Sequence, residues 1–512
     1  MSKSRILLAG AALFVTLICW SLSSPINSHH DEKYHIASTW CSQGFNENCV
    51  SRGQSRDFHQ IVLIKINLCT PSFTEDSKFK RILVARETNE CALSYRSNED
   101  LNEMSMNPNF FFETKTQIGT WIDPGHTPHL YYKIISWFVG TDAEKSVIAI
   151  RVFNSLILAM LFTALCIVSD RRVRIGMSLG LILTLVPHGL LTTSSINTSS
   201  WSLIGCSFSW IFLFVILNRP LRIDIAQMLA IVGWLSSSAL VFFSRYDSII
   251  YLIVTNLLIV LNQVDFGVKY PKKYLFGFVI VLLSVMALII KSIDNFRKLV
   301  SSPTPQSNDP IDLFIVIGNS LKLSVATPLR ILGLQAPDWG VIDLPRLVFF
   351  SNLTIFFILI VSLVKFDNKP QLRLVGSFLC FYFGVCLVQS YIRRDWTTPF
   401  YLIRTNWSSD AFWPRYFLPL FSFFISSVAI SSRNLFQLFD SQRIKFALFT
   451  LITLSQAISL YASGETFRLN PTWYWQKIEF GIQAGFVLGS ISFLIFTYLI
   501  LETKWFKSDF NP

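Results

Sequence analysis

The sequence predicts an all-α polytopic membrane protein with about 12 transmembrane helices and one large extracytoplasmic loop that contains disulfides. Of its 512 residues, 52% are hydrophobic and only 15% are charged, whereas soluble domains carry roughly 25% charged residues. Apolar runs long enough to span a bilayer recur along the chain. The basic residues behind the net charge of +12 lie in short loops between these runs. This is typical of cytoplasmic loops and argues against a nucleic-acid-binding protein.

Residues 1–22 are predicted to form the first transmembrane helix. A short basic start is followed by an uncharged apolar run from Ile6 to Leu22. Small residues come next, so a cleaved signal peptide is the alternative interpretation. A retained helix predicts a multi-pass protein of the cell (plasma) membrane with a cytoplasmic N-terminus. In either case the residues that follow are delivered outside the cytoplasm.

Residues 23–128 form the one large hydrophilic region, which is predicted to be extracytoplasmic. It holds Cys41, Cys49, Cys69 and Cys91, and an even number of cysteines in an exported loop predicts disulfides. Of the three possible connectivities, Cys41–Cys49 with Cys69–Cys91 is preferred because both closed loops are short. The absence of Cys-x-x-Cys spacing makes a zinc site the weaker alternative. No metal and no cofactor are predicted.

Residues 129–512 are predicted to form a multi-helix transmembrane domain. After the first helix, transmembrane helices are expected near 146–169, 176–193, 201–218, 225–243, 248–263, 274–291, 346–365, 374–392, 414–432, 444–462 and 480–501. The loops opposite the basic ones are predicted to be extracytoplasmic and lie near 193–200, 244–247, 292–345, 393–413 and 463–476. No nucleotide-binding glycine motif occurs, so an enzyme on this side needs a substrate delivered through or in the lipid.

Ionisable side chains cluster directly after the first helix. His29, His30, Asp31, Glu32 and His35 lie within seven consecutive positions. An acidic pair of this kind can also be the solvated start of a helix. The density of carboxylates and imidazoles at a membrane boundary favours a functional site.

Other residues of the predicted extracytoplasmic side are candidates for substrate binding. Arg245 and Asp247 can form a mutual ion pair or anchor the helix at the interface, or the guanidinium can bind a lipid-linked phosphate. Arg415, followed by Tyr416, starts a predicted helix among aromatic residues. His126 lies in a proline-rich turn and is placed facing the site.

Five short segments resemble, in the same order, motifs of a family of bacterial polytopic membrane proteins, the domain of unknown function numbered twenty-one forty-two. They are His30-Asp-Glu-Lys-Tyr-His35, Thr127-Pro-His-Leu-Tyr-Tyr132, Ser194-Ser-Ile-Asn197, Pro337-Asp-Trp-Gly-Val-Ile-Asp-Leu-Pro345 and Arg415-Tyr-Phe-Leu-Pro419. The resemblance covers roughly residues 20 to 430. His30 and Pro414 replace a proline and a glycine of the family pattern, and Ser199 replaces an aspartate.

The family resembles the GT-C class of membrane glycosyltransferases, which carry an acidic motif in the first external loop. The resemblance implies transfer of a sugar from a polyprenyl-phosphate donor to a glycan or lipid acceptor of the cell envelope. Asp31 is then the candidate general base, and Glu32 is the alternative base or a partner that orients Asp31. Arg245 and Arg415 become candidate phosphate ligands.

The remaining site residues follow from the same resemblance. His35 is expected to bind donor or acceptor, and Asn197 belongs to the third motif. Trp339 and Asp343 come from the fourth motif, where the indole can stack on a sugar ring or anchor the chain at the membrane interface.

Two other functions compete with the transferase. A transporter or flippase of lipid-linked saccharides predicts inverted repeats and broken helices with ionisable residues near the bilayer midplane. A non-catalytic subunit of an envelope-polymer assembly complex predicts a binding role for the disulfide-containing loop.

Overall fold

The computed structural model describes residues 3–23, 32–44, 49–54, 60–64, 82–85, 91–94, 118–122, 129–140, 142–219, 224–261, 313–334, 344–363, 369–392, 417–432, 441–466 and 481–501. Its helices are α1 (Lys3–Leu22), α2 (Glu32–Cys41), α3 (His129–Ile135), α4 (Ala143–Val168), α5 (Arg171–Thr184), α6 (Leu190–Thr193), α7 (Thr198–Asn218), α8 (Ile225–Ser244), α9 (Tyr246–Leu261), α10 (Leu313–Leu329), α11 (Arg346–Leu363), α12 (Lys369–Ile392), α13 (Leu418–Ser431), α14 (Gln442–Thr466) and α15 (Gly481–Leu501). A 3₁₀ turn, Ser136–Phe138, follows α3, and π-helical turns follow α5 (Leu185–Gly189) and α10 (Arg330–Leu334).

The helical, polytopic membrane architecture is confirmed. Among the described residues, eight helices are long and apolar enough to cross a membrane, and the apolar helices Ser248–Val260, Arg346–Val361 and Leu418–Ser431 are shorter. Every predicted transmembrane helix coincides with a described helix, except 274–291, which lies outside the described residues. Twelve crossings and the GT-C fold therefore stay predictions.

The centre of the bundle is formed by α5, its π turn, α6 and α7, which are buried along nearly their whole length. Helix α5 packs along α13, while α7 packs against α8, α9 and α13. Helix α1 packs on α4 and α15, and α14 packs on α11 and α15. Helix α7 is buried on all sides, with 20 buried residues. Such burial is typical of a helix that has no strongly polar face.

Glycines allow the close approach of α5 and α13. A Cβ at Gly180 would lie 2.8 Å from the backbone nitrogen of Ser426 and 2.9 Å from the carbonyl oxygen of Ser422. Small residues let helix backbones approach closely in membranes, where packing replaces the hydrophobic effect as the driving force.

We expect Gly180→Ala to lower the free energy of unfolding by about 1–3 kcal/mol, because the new methyl group forces the two helix backbones apart. Gly384→Ala in α12 is the matched control, since nothing lies within 4 Å of its Cβ position. We expect the control to be neutral or to stabilise by up to about 1 kcal/mol. The measurement is unfolding of the purified protein by SDS in mixed micelles. Equal stability of the two variants would contradict the close packing of α5 on α13.

Two π turns meet inside the bundle, one between α5 and α6 and one directly after α10. In the π turn after α5, Val186 is non-helical and the Val186–Pro187 peptide is cis, and in the π turn after α10, Gly333 has a φ of +105°. The two turns pack against each other. The Asn352 amide nitrogen of α11 donates to the carbonyl oxygens of Val186 (3.4 Å) and Leu332 (3.0 Å). These bonds satisfy carbonyls that the breaks release, as a nonpolar environment requires.

The described residues between 49 and 122 form five β-strands, which the all-α prediction did not include. They are β1 (Cys49–Gln54), β2 (Gln60–Ile64), β3 (Ile82–Ala85), β4 (Cys91–Ser94) and β5 (Ile118–Ile122). Strands β1, β2 and β5 form an antiparallel sheet with β2 in the middle, and β3 pairs with β4. These strands are four to six residues long. A hydropathy average over the length of a membrane helix does not detect them because it spans several strands and turns at once.

The predicted disulfide Cys41–Cys49 is confirmed, with a Cα–Cα distance of 5.4 Å. It joins the last residue of α2 to the first residue of β1. Cys91 opens β4, but its side chain and the whole of Cys69 lie outside the described part, so the second disulfide stays a prediction.

Candidate functional site

Three of the sequence motifs converge at one end of the bundle. Glu32 and His35 come from α2, Tyr131 and Tyr132 from α3, and the segment 194–197 connects α6 to α7. Helix α1 also ends in this region. Helix α2 packs on α3, and α3 packs on α8.

The Glu32 carboxylate forms a buried ion pair with Arg151 of α4. Its Oε1 accepts from Arg151 Nε (3.1 Å) and Nη2 (2.9 Å), and its Oε2 accepts from Nη2 at 2.8 Å. Both side chains are 0% exposed. Arg151 Nη1 also donates to the carbonyl oxygen of Ser21 (2.9 Å), and the Ile196 backbone N–H donates to Glu32 Oε1 (3.2 Å). One ion pair therefore ties together α1, α2, α4 and the segment 194–197.

A second set of polar contacts supports the first. Asn154 lies three residues after Arg151, so both side chains are on one face of α4. Its Nδ2 donates to the carbonyl oxygen of Ser195 at 2.9 Å, and the Trp201 indole N–H donates to its Oδ1 at 2.9 Å. All these groups are buried. Because buried amides need partners, the network holds the 194–197 segment in one position against α4.

Tyr131 lies edge-on to Trp201, with ring centroids 4.9 Å apart. Burial raises the pKa of the Tyr131 phenol well above its ordinary value, and the nearby Tyr132 and Glu32 raise it further. The phenol is therefore protonated at neutral pH, and its ring packs edge-on against both Tyr132 and Trp201.

His35 pairs with Tyr132. The Nδ1 atom lies 2.7 Å from the Tyr132 hydroxyl, and the two rings stack with centroids 6.0 Å apart. The His35 carbonyl oxygen accepts from Thr39 Oγ1 at 2.6 Å. Glu32 and His35, three residues apart, share one face of α2 and attach that face to α4 and α3.

Asn197 and Arg245 approach the same region from the start of α7 and the end of α8. Asn197 is the N-cap of α7, and its Oδ1 accepts from the Ser199 backbone N–H at 2.8 Å. Arg245 Nη1 donates to Ser199 Oγ at 3.2 Å. Ser199 is the position at which the sequence departs from the family's aspartate. Asp247 belongs to α9, but its side chain lies outside the described part.

The structure thus brings together four predicted site residues: Glu32, His35, Asn197 and Arg245. The other predicted site residues lie outside the described residues and remain predictions: Asp31, His126, Trp339, Asp343, Arg415 and Tyr416. Within the described ranges, no group of three or more His, Cys, Asp and Glu side chains is arranged to hold a metal ion.

Sequence reasoning did not assign Asn154 and Trp201 to the site, and for Arg151 it left open an ion pair, an interface anchor or a ligand of a lipid-linked phosphate. Arg151 carried a signal, because an ionisable residue near the end of an apolar run points to a functional or structural partner. Its partner lies 119 positions earlier in the chain, and no local pattern identifies it. No motif or charge pattern in the sequence marked Asn154 or Trp201 as a site residue.

Comparison with known proteins agrees with the motif assignment. The family model described as "Predicted membrane protein (DUF2142)" matches residues 13–424, about four fifths of the chain. No curated protein and no solved structure matches the chain. All five predicted motifs lie inside the matched range, and the predicted family is confirmed: the chain belongs to the DUF2142 family of predicted membrane proteins.

Proposed function

We propose that the protein is a membrane glycosyltransferase of the GT-C type. It transfers a sugar from a polyprenyl-phosphate donor to a glycan or lipid acceptor of the cell envelope, on the extracytoplasmic face. The observation that carries the proposal is the convergence of three family motifs around the Glu32–Arg151 ion pair, at the first residue of α2.

The ion pair supports a functional site because it is costly to build. Charged groups lose their hydration when they are buried, and a well-packed apolar pair is often equally stable or more stable. In a membrane protein such residues are rare and mark functional positions. Here the pair holds Glu32, the first residue of α2, and Asp31 is its neighbour in the sequence.

The chemistry assigns one role to each group. The Asp31 carboxylate removes the proton from the acceptor hydroxyl, and the acceptor oxygen forms a bond to the anomeric carbon of the sugar. The bond between that carbon and the donor phosphate oxygen breaks, and the polyprenyl phosphate leaves with the electron pair. Arg245, and Arg415 in the same scheme, stabilise the charge on the departing phosphate.

Of the two roles considered for Glu32, the contacts favour the orienting one. Its two oxygens accept hydrogen bonds from Arg151 and Ile196, and its side chain is fully buried. A base must reach the acceptor proton within hydrogen-bond distance, and this carboxylate is 0% exposed and already bonded to Arg151 through both oxygens. Glu32 is therefore a positioning residue in the proposal, and Asp31 is the base.

A flippase of lipid-linked saccharides is the second candidate, and one observation favours it. The π turn Leu185–Gly189 separates α5 from α6, and it packs against the π turn Arg330–Leu334 that follows α10. Discontinuous helices form the substrate sites of many transporters.

The test uses purified protein reconstituted in sealed lipid vesicles. The vesicles receive radiolabelled polyprenyl-phosphate sugars, one sugar at a time, with envelope-glycan and lipid acceptors. We expect label to appear in an acceptor only when donor, acceptor and protein are all present. Movement of a donor across the bilayer without transfer of its sugar would contradict the transferase and support the flippase.

A further inference from the structure

Both polar atoms of one peptide group are held by side chains from two different helices. The Ser195–Ile196 peptide accepts through its carbonyl oxygen from Asn154 Nδ2 of α4 at 2.9 Å, and it donates through its N–H to Glu32 Oε1 of α2 at 3.2 Å. All four residues are at most 2% exposed. A rotation of this peptide group would break both bonds at once and leave buried polar atoms without partners, which is costly. The peptide is therefore held in one orientation.

The Trp201 indole determines which way the Asn154 amide faces. Its N–H donates to Asn154 Oδ1 at 2.9 Å, and an indole N–H can only donate. The amide oxygen therefore faces Trp201, and the amide nitrogen is left to donate to the Ser195 carbonyl oxygen. The indole ring is itself packed edge-on against Tyr131, with centroids 4.9 Å apart. Asparagine supplies both the acceptor and the donor that this position uses, whereas leucine, of similar size, supplies neither.

Helix α4 carries two residues that hold different parts of the site. Arg151 and Asn154 are three positions apart and lie on one face of the helix. Arg151 holds the Glu32 carboxylate through three hydrogen bonds, whereas Asn154 holds the segment 194–197. Loss of the Asn154 amide leaves the three bonds between Arg151 and Glu32 in place. The segment can therefore be disturbed without removing the partner of Glu32.

The peptide held by Asn154 lies directly before residues that are proposed to bind substrate. Asn197 caps α7 through its Oδ1, which accepts from the Ser199 backbone N–H at 2.8 Å. The Ser199 hydroxyl accepts in turn from Arg245 Nη1 at 3.2 Å. A shift of the peptide is therefore passed to the Arg245 guanidinium along a short chain of bonds. Misplacement of a binding group by about 1 Å is enough to weaken its action strongly.

We propose that Asn154 is a positioning residue for the polyprenyl-phosphate donor and that Trp201 supports it. Asn154 acts through the Ser195–Ile196 peptide, which places the Arg245 guanidinium for the phosphate group. The inference rests on the proposed function for the identity of the ligand, and it adds two residues that lie outside the five family motifs. Because the Glu32 carboxylate keeps its arginine when the amide is lost, Asn154 governs donor binding rather than the chemical step.

The experiment measures donor binding and turnover separately. Binding of polyprenyl phosphate without a sugar to the purified protein is measured by native mass spectrometry, so this result needs no acceptor and no transfer. The donor KM and kcat for sugar transfer are measured in the reconstituted vesicles. Asn154→Leu removes both amide bonds, and Trp201→Phe removes only the indole N–H.

Asn256 and Trp234 offer a matched control pair. The Trp234 indole N–H donates to Asn256 Oδ1 at 3.4 Å, and Asn256 Nδ2 donates to the carbonyl oxygen of Leu252 at 2.6 Å. The same kinds of bonds therefore occur here, but this carbonyl belongs to the helix of Asn256 itself, α9. Asn256→Leu and Trp234→Phe remove these bonds without releasing the segment 194–197.

We expect Asn154→Leu to weaken binding of polyprenyl phosphate about tenfold and Trp201→Phe about threefold, as expected for the loss of two neutral hydrogen bonds and of one. The donor KM should rise by the same factors while kcat stays within about twofold of wild type, which is the signature of lost binding rather than lost chemistry. The controls should change neither quantity. If Asn154→Leu does not yield monodisperse protein, the comparison of Trp201→Phe with Trp234→Phe decides.

The outcomes separate this inference from the proposed function. Wild-type protein that binds no polyprenyl phosphate would overturn both. If the wild type binds it and the Asn154 and Trp201 variants bind it as tightly as the controls do, the inference alone fails. A fall in kcat with an unchanged donor KM would likewise overturn the positioning role. Weaker polyprenyl-phosphate binding in Asn154→Leu, in a protein that transfers no sugar, would support the inference and contradict the transferase.

Discussion

Replacing Arg151 by methionine is expected to lower the free energy of unfolding by about 3–5 kcal/mol, because it leaves the buried Glu32 carboxylate without its partner. Both side chains are 0% exposed, and the guanidinium makes three hydrogen bonds to that carboxylate. It also donates to the Ser21 carbonyl oxygen. The loss therefore includes an uncompensated buried charge and a backbone acceptor without its donor.

SDS-induced unfolding in mixed micelles measures the effect. The double variant Glu32→Gln/Arg151→Met removes both charges and should recover much of the lost stability, since no lone buried charge remains. Lys145→Met is the matched control, because its ion pair with Asp142 is exposed, with side chains 84% and 47% accessible. It should cost less than about 1 kcal/mol. An Arg151→Met variant as stable as the Lys145→Met variant would contradict the buried pair.

Asp31→Asn is expected to lower the rate of sugar transfer by about 10²–10⁴-fold, the usual contribution of a general base, while stability stays close to wild type. Glu32→Gln is expected to behave differently. It weakens the bonds to Arg151 and Ile196, so the free energy of unfolding and the transfer rate should fall together. A variant that loses transfer but keeps its stability identifies the base, and a variant that loses both identifies the positioning residue.

Transfer is measured in the reconstituted vesicles at saturating donor, with SDS unfolding in parallel. Asp142→Asn is the matched control: Asp142 is an exposed N-cap of α4, and asparagine caps equally well, so neither quantity should change. Transfer that survives in Asp31→Asn and is abolished in Glu32→Gln without loss of stability would reverse the assigned roles.

Several elements of this fold follow from local sequence. Uncharged runs such as those of α1 and α7 have the length of a bilayer crossing, so hydropathy finds them without knowledge of their neighbours. The Cys41–Cys49 disulfide closes a loop with a sequence separation of 8, and short loops need little chain organisation to close. The family motifs are likewise local, and the family model confirms the membership that they predicted.

Other features are decided only by the tertiary structure. Glu32 and Arg151 are 119 positions apart and Asn352 and Val186 are 166 apart, and nothing near either member of a pair specifies its partner. Burial decides the chemistry of Glu32, because the same glutamate at an exposed helix start would be an ordinary solvated carboxylate. The sequence by itself determined a membrane protein, its helices and its family, because bilayer thickness and motif spacing act over short stretches. The packing of distant helices decided which polar groups meet, because a buried charge or amide persists only where another element supplies its partner.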